Sequence, residues 1–423
     1  MKLIDNNIKN TAAFARKNRF WLILGIILLA ANLRPALTSV GPLVGAIRNS
    51  LHLSNGVAGM LTTLPLLAFA VMSPLAARLA RKFGHPFVLF FALIFLIIGL
   101  VIRSSSSSGL LFIGTAILGL AIAICNVLLP GLIKHKFSNK VGLMTGIYTT
   151  AMGTFAALAS GVSVPLSQAL GFGWRGSLIF WAILATVTAI VWIPQLRSRD
   201  QSHKQSGKII EAGGVWRSPL AWQVTLFMGL QSLGFYVTVA WLPAILHDRG
   251  LSVSTAGWML SLLQFISLPA NFLIPVIADR LSHQKWLAAM ASLFYIAGFG
   301  GLMISSTSLV ILWVIFLGLG QGSAISLALL LFGLRTKNAH QAAELSGMAQ
   351  SIGYLLAAVG PLLFGLLRDI THTWITPLAF LVLMSVIMLI AGIGAGRNKY
   401  VEGTPINTKN QADTLSVLEA SKH

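Results

Sequence analysis

Arg34 lies near the middle of an otherwise apolar stretch, residues 20 to 47, within the run ANLRPALTSVGPL. At mid-bilayer an arginine costs roughly 2.5 to 3.5 kcal/mol even on lenient insertion scales, so it is retained where it lines a cavity and meets a partner. Its planar fork of donors suits an anion or another acceptor-rich ligand. The competing reading is a structural arginine, held by backbone carbonyls at the kink that Pro35 imposes.

Other polar side chains fall at matching depth. Gln231 and Tyr236 bracket the centre of segment 220–247, Gln264 sits at the centre of 253–278, and Gln321 at that of 308–334. Tyr354 is central in 341–368 with Gln350 one turn away, and Asn126 lies to one side of the centre of 109–133. A buried amide or phenol in a bilayer must find partners, so such a level reads as the lining of a site for a small hydrogen-bonding solute. Helix-to-helix bonding is the alternative for any one of them. No Asp, Lys or His falls at this depth; the nearest acids are Glu344 and Asp279. A site whose formal charge is an arginine favours an anion or a neutral solute with strong acceptors, and it disfavours organic cations. It also argues against a proton relay through the membrane.

The rest of the chain offers no competing chemistry. Cys125 is the single cysteine, which excludes an internal disulfide and a thiol-based metal site, and the nine histidines fall in loops, tails or helix ends. No HExxH, GxSxG or Walker spacing is present, so neither a metal nor a cofactor is expected, and no enzyme activity. GLGQG (318–322) and SVGPL (39–43) read as close-packing and kinking elements.

The elements that must position these residues follow from composition. The chain is 56 % hydrophobic and 9 % charged, with apolar runs recurring end to end. It reads as an all-α membrane protein with twelve helices at 20–47, 55–79, 86–102, 109–133, 141–167, 175–196, 220–247, 253–278, 286–304, 308–334, 341–368 and 374–396. The net charge of +20 is distributed unevenly. Only Arg48, Arg103, Arg175, Arg249 and Arg368 fall in loops on one side, with Arg34 inside the membrane; the remaining Lys and Arg lie on the other side with both termini. The positive-inside rule then puts both termini in the cytoplasm, and a nucleic-acid partner does not follow from the charge. Lys2, Lys9, Arg16, Lys17 and Arg19 precede the first apolar run as in a secretory signal, but cleavage at LLAAN would strand Arg34, so helix 1 is read as an uncleaved anchor.

The polar stretch 197–219 (RSRDQSHKQSGK within it) divides the helices six and six. The expected organisation is a cytoplasmic segment 1–19, a bundle 20–196, a linker 197–219, a second bundle 220–396 and a disordered tail 397–423. An internal repeat supports the division: SPLAARLARK from Ser73 matches PVIADRLSHQ from Pro275. Repeats of this kind place a solute site between the halves near the midplane.

That repeated loop resembles the signature of the major facilitator superfamily, GxLADRxGRK, with its weaker second copy. Here the usual Asp is Ala77 in the first copy, while the second keeps Asp279 and Arg280. The resemblance implies that Asp279 meets the positive start of helix 5. Ala77 cannot do the same for helix 11, so Glu344 is expected to reach Arg78 or Arg81 instead. A narrower resemblance is carried by NLRPALTSVGPL, NVLLPGLIKHKF, MTGIYT, LQSLGFYVTVAWLP and ELSGMAQSIGYLLAAVGP, in this order. Together they are similar to the cyanate and 2-nitroimidazole (CynX/NimT) transporter family. The resemblance implies a lipid-embedded secondary transporter of the bacterial inner membrane, moving a small anion or a small polar heterocycle by alternating access, and twelve helices suffice for it to act as a monomer. The alternatives are a proton-coupled multidrug exporter, whose mid-membrane carboxylate and GPxxGG signature are missing from helix 5 (ASGVSVPLS), and a non-transporting membrane sensor.

Overall fold

Hydrocarbon offers a backbone N–H or C=O no water to bond, so a chain this apolar must close its hydrogen bonds within helices. The computed structural model describes residues 20–53, 55–105, 107–168, 170–196, 214–304 and 308–401, and among them it is helical without a strand. The expected segment 1–19, most of the linker (197–213) and most of the tail (402–423) lie outside the described residues. Among the described residues eleven helices are long and apolar enough to cross a membrane. They are α1 (Phe20–Leu51), α2 (Asn55–Phe83), α3 (His85–Arg103), α4 (Ser108–Lys136), α5 (Val141–Gln168), α6 (Gly173–Leu196), α7 (Pro219–Asp248), α8 (Val253–Arg280), α10 (Val310–Leu334), α11 (Ala339–Thr371) and α12 (Ile375–Ala395). Between α8 and α10 runs a shorter helix of 17 residues, α9 (Lys285–Gly301).

These bounds follow the hydropathy reading closely, but α1 is not continuous. Its regular hydrogen bonding stops before Pro35, resumes for one turn at Pro35–Thr38, passes through a 3₁₀ turn at Gly41–Leu43 and continues at Val44–Leu51. Pro35 and Pro42 each lack the N–H that would bond four residues back, so the chain tightens or opens beside them. Arg34 stands at the first break, with φ −114° and ψ −37°.

Within the first six helices α3 packs on α4 and α6; within the last six α9 packs on α10 and α12, and α7 on α11 and α12. The two sets meet where α2 and α4 lie against α11, and where α5 lies against α8. Prolines explain how those contacts are made. Pro74 in α2 frees the Ala70 carbonyl, and Ser351 Oγ of α11 donates to it at 2.5 Å. Pro275 in α8 frees the Asn271 carbonyl, and Thr149 Oγ1 of α5 donates to it at 2.8 Å. Pro130 in α4 frees the Asn126 carbonyl, which accepts from Gln350 Nε2 of α11 at 3.1 Å. Each missing intrahelical bond has become a bond between the halves, which is the arrangement a bilayer requires of a proline inside a helix.

Close backbone approach completes these contacts at the end of the molecule that carries the basic loops. A Cβ on Gly347 would come within 2.7 Å of the Ser73 carbonyl, and one on Gly146 within 2.8 Å of the Phe272 carbonyl. At the opposite end a Cβ on Gly41, Gly45, Gly59 or Gly161 would meet nothing within 4 Å. The halves are therefore drawn together at the basic end. There, too, Arg335 just beyond α10 donates to Gln284 and to the Ala395 carbonyl, and burial pushes its guanidinium down to about 10, still charged at neutral pH.

Candidate functional site

Between the two sets of helices lies a cavity of about 70 Å³, room for several waters or a solute of a few non-hydrogen atoms. Arg34, Gln231, Tyr236, Gln264, Gln321 and Tyr354 all line it. Arg34 is half-buried, and its Nη1 donates to the Tyr236 hydroxyl at 3.2 Å. Its Cζ stands 5.7 Å from the centre of the Phe235 ring, within reach of a cation–π attraction. Arg34 and Tyr236 are 202 positions apart, the same offset as the repeat that runs from Ser73 to Pro275. The cation and its phenol thus join the two sets of helices at the cavity.

The break in α1 is what gives Arg34 this direction, and a different arginine holds the break. Arg103, at the end of α3 and buried, donates from Nη1 to the Ala36 carbonyl. Thr38 adds a bond from Oγ1 to the Ala156 carbonyl of α5 at 3.1 Å. The structural role weighed for Arg34, an arginine bonded to carbonyls at the Pro35 kink, belongs to Arg103, and this leaves Arg34 turned to the cavity.

Asn126 and Gln350 do not line the cavity. Gln350 donates from Nε2 to the Asn126 carbonyl and to Ser346 Oγ, so the two residues meet as a contact between α4 and α11 on the basic side. Depth along a helix had grouped them with the cavity residues, but depth carries no information about the direction a side chain takes around the helix.

The lining also includes residues that depth alone passed over: Thr38, Ser232, Phe235, Ser267 and Asn271. Asn271 is 6 % exposed and its Oδ1 has no hydrogen-bond partner. It lies seven residues after Gln264 and therefore on the same face of α8, which is the periodicity that could have found it.

At the basic end Arg81, Glu344 and Asp279, singled out as gates, are brought to the two interfaces. Arg81 Nη1 and Glu344 Oε1 stand 3.4 Å apart, linking α2 to α11, and His340 Nδ1 lies 3.8 Å from the same carboxylate oxygen. Arg78 adds a favourable charge on Glu344 from the same helix as Arg81. Asp279 packs on Gly142 at the start of α5, where any Cβ would strike the Asp279 side chain and the Pro275 carbonyl. Lys134, at the end of α4, feels the charge of Asp279. Arg280 follows at the last position of α8. Among the described residues no cluster of His, Cys, Asp or Glu could hold a metal ion.

The family model described as "Major Facilitator Superfamily" matches residues 20–361 and 224–412. The chain is 52 % identical over 383 residues to the uncharacterized transporter YycB of Bacillus subtilis (strain 168), covering 90 % of this chain and 95 % of that protein. It is 44 % identical to the 2-nitroimidazole transporter of Escherichia coli (strain K12), covering 92 % and 99 %. It is 29 % identical to the cyanate transport protein CynX of the same organism, covering 87 % and 95 %. Among solved structures, the proton:xylose symporter XylE superposes with a TM-score of 0.71 at 14 % identity, over 91 % of this chain and 98 % of that one, a likeness of fold.

Proposed function

Because the chain belongs to the Major Facilitator Superfamily, we propose that its central cavity binds a small anion or a small polar heterocycle, held by its acceptor group at Arg34. The protein is a secondary transporter, not an enzyme, and a multi-pass protein of the bacterial inner membrane. The single observation that carries the solute reading is Arg34 itself, a cation among the cavity-lining residues, aimed across the interface at Tyr236. None of the lining residues is acidic, so an organic cation would meet an uncompensated positive charge there. The names of the relatives support the same class: cyanate is a small anion and 2-nitroimidazole a small heterocycle with acceptor oxygens.

In this reading α9 is the twelfth span, residues 20–196 and 220–396 are two six-helix bundles, and both termini, the linker 197–219 and the tail 397–423 are cytoplasmic, as the asymmetry of Lys and Arg requires. The basic end then faces the cytoplasm and is the closed end, which makes this an outward-facing state. Tyr236 and Tyr354, with Gln231, Gln264 and Gln321, orient the solute. The Arg81–Glu344 pair, with Arg78 beside it, and Asp279 and Arg280 at the start of α5 hold the cytoplasmic side shut until the halves rock. The Asn126–Gln350 contact belongs to this closure. The transporter acts as a monomer in the lipid bilayer.

The test is thermal stabilisation of the purified protein by cyanate, nitrate and 2-nitroimidazole, because a ligand that binds the native state raises its stability by mass action. A rise in Tm that disappears in Arg34→Ala is the expected result. Equal rises in both proteins would move the site away from Arg34.

A further inference from the structure

Beyond the general orienting role given to Gln264 and Gln321, the α8/α10 side of the cavity holds buried amide atoms without a partner. Gln321 is 3 % exposed, and neither its Nε2 nor its Oε1 has a hydrogen-bond partner; Asn271, 6 % exposed, has an unpartnered Oδ1. Both line the same cavity as Arg34. They stand on helices in close contact, since a Cβ on Gly322 would strike the Ser267 carbonyl. An amide so enclosed keeps a substantial desolvation cost unless a partner arrives. For Gln321 both ends are open, so whichever way its amide is turned it needs one donor and one acceptor.

Several of the cavity's own hydroxyls are committed elsewhere. Thr38 Oγ1 donates to the carbonyls of Arg34 and Ala156, Ser232 Oγ to the Met228 carbonyl and Ser267 Oγ to the Gln264 carbonyl. Gln231 Nε2 is turned to Ser232 Oγ at 2.8 Å, and Arg34 Nη1 to Tyr236. None of these bonds reaches Gln321 Oε1 or Asn271 Oδ1, so both acceptors are open to a donor on the solute.

We infer that the transported solute carries an O–H or N–H donor as well as the acceptor group held by Arg34, and that Gln321 and Asn271 read this donor and so determine specificity. This rests on the reading of Arg34 given above. It separates solutes that share an acceptor: a hydroxylated carboxylate or an N–H heterocycle satisfies both sides of the cavity, whereas nitrate or cyanate satisfies the Arg34 side alone. A site built to receive a donor rejects the analogue that lacks it, because its buried acceptors are then left unpaired.

The experiment compares matched solutes by thermal stabilisation and by uptake into proteoliposomes. One pair, 2-nitroimidazole and 1-methyl-2-nitroimidazole, masks the donor; the other, 4-hydroxybenzoate and benzoate, deletes it without adding bulk. Nitrate is the acceptor-only control. In the wild-type protein the donor-bearing member of each pair that binds is expected to half-saturate at about ten-fold lower concentration, the equivalent of one buried hydrogen bond. Gln321→Leu and Asn271→Leu are expected to reduce that preference to about three-fold or less. Equal binding within the pairs in the wild-type protein would overturn the donor requirement without using any variant. So would a preference that survives both substitutions. Nitrate binding that Arg34→Ala abolishes, with no preference within the pairs, would leave the Arg34 reading standing and remove this one. Stabilisation by none of the probes, or by all of them regardless of Arg34, would remove both.

Discussion

The two contacts that close the basic end, α2 with α11 and α5 with α8, are built alike to a point and then diverge. Each has a proline that frees a carbonyl, a hydroxyl from the opposite half that takes it, and a glycine that lets backbones touch: Pro74, Ser351 and Gly347 in one, Pro275, Thr149 and Gly142 in the other. Beyond this shared frame, α5/α8 carries Asp279 half-buried against a helix start, and α2/α11 has Ala77 at the matching position and an Arg81–Glu344 pair placed further out. The common part is set by backbone chemistry that no bilayer protein can neglect. The divergent part concerns charge. One interface places a carboxylate where the helix dipole favours it; the other uses an ion pair whose partners are 34 % and 19 % exposed, and water screens it.

Substituting Gly142 breaks the comparison most severely. Gly142→Leu would drive a side chain into the Pro275 carbonyl and Asp279, so α5 must leave α8. Loss of transport with increased cytoplasmic labelling of engineered cysteines along α5 is expected. Wild-type labelling would show that this contact does not hold the gate.

Removing the hydroxyls tests the shared frame. Thr149→Val and Ser351→Ala each leave a proline-freed carbonyl unpaired, which costs about 1 to 3 kcal/mol. Similar falls in Tm are expected from the two, and clearly unequal falls would mean that the interfaces are less alike than their geometry. Pro74→Ala sharpens this: it restores the N–H, so the Ala70 carbonyl no longer depends on Ser351. In that background Ser351→Ala should cost about 1 kcal/mol less than in the wild-type protein, read as the coupling term of a double-mutant cycle.

The smallest effect belongs to the ion pair. Glu344→Gln should shift the balance between inward and outward access by no more than about 1 kcal/mol at this exposure. Transport that tolerates the substitution but gains cytoplasmic accessibility is expected, with partial recovery in the exchanged pair Arg81→Glu/Glu344→Arg. No change in accessibility would make the pair incidental to the gate.

How much of this could be read beforehand differs by residue. Arg34, Gln231, Tyr236, Gln264, Gln321 and Tyr354, which line the cavity, are legible from depth because a polar group inside a hydrophobic run stands out against its neighbours. Asn126 and Gln350 were grouped with them for the same reason, yet they bond to each other's helices, since the Asn126 carbonyl is freed by Pro130. The rule that residue i of a proline releases the carbonyl of i−4 was available in the sequence; which side chain would arrive to take it was not. Asn271 was missed because its depth alone was unremarkable, although its spacing from Gln264 put it on the cavity face.

Composition and periodicity determined by themselves that this chain spans a membrane in long helices, that Lys and Arg are unevenly distributed along it, that SPLAARLARK recurs as PVIADRLSHQ, and that an arginine lies within the apolar interior. All of these are one-dimensional properties, since the cost of burying a polar group in lipid is felt residue by residue along each span. Tertiary structure alone decided that Arg103, not Arg34, secures the break in α1, that Arg34 bonds to Tyr236 of the other set of helices, and that Gln321 and Asn271 are left with unpaired amide atoms. Those outcomes depend on rotation about helix axes and on which helices become neighbours, and a hydrogen bond exists only when both partners arrive at the same place.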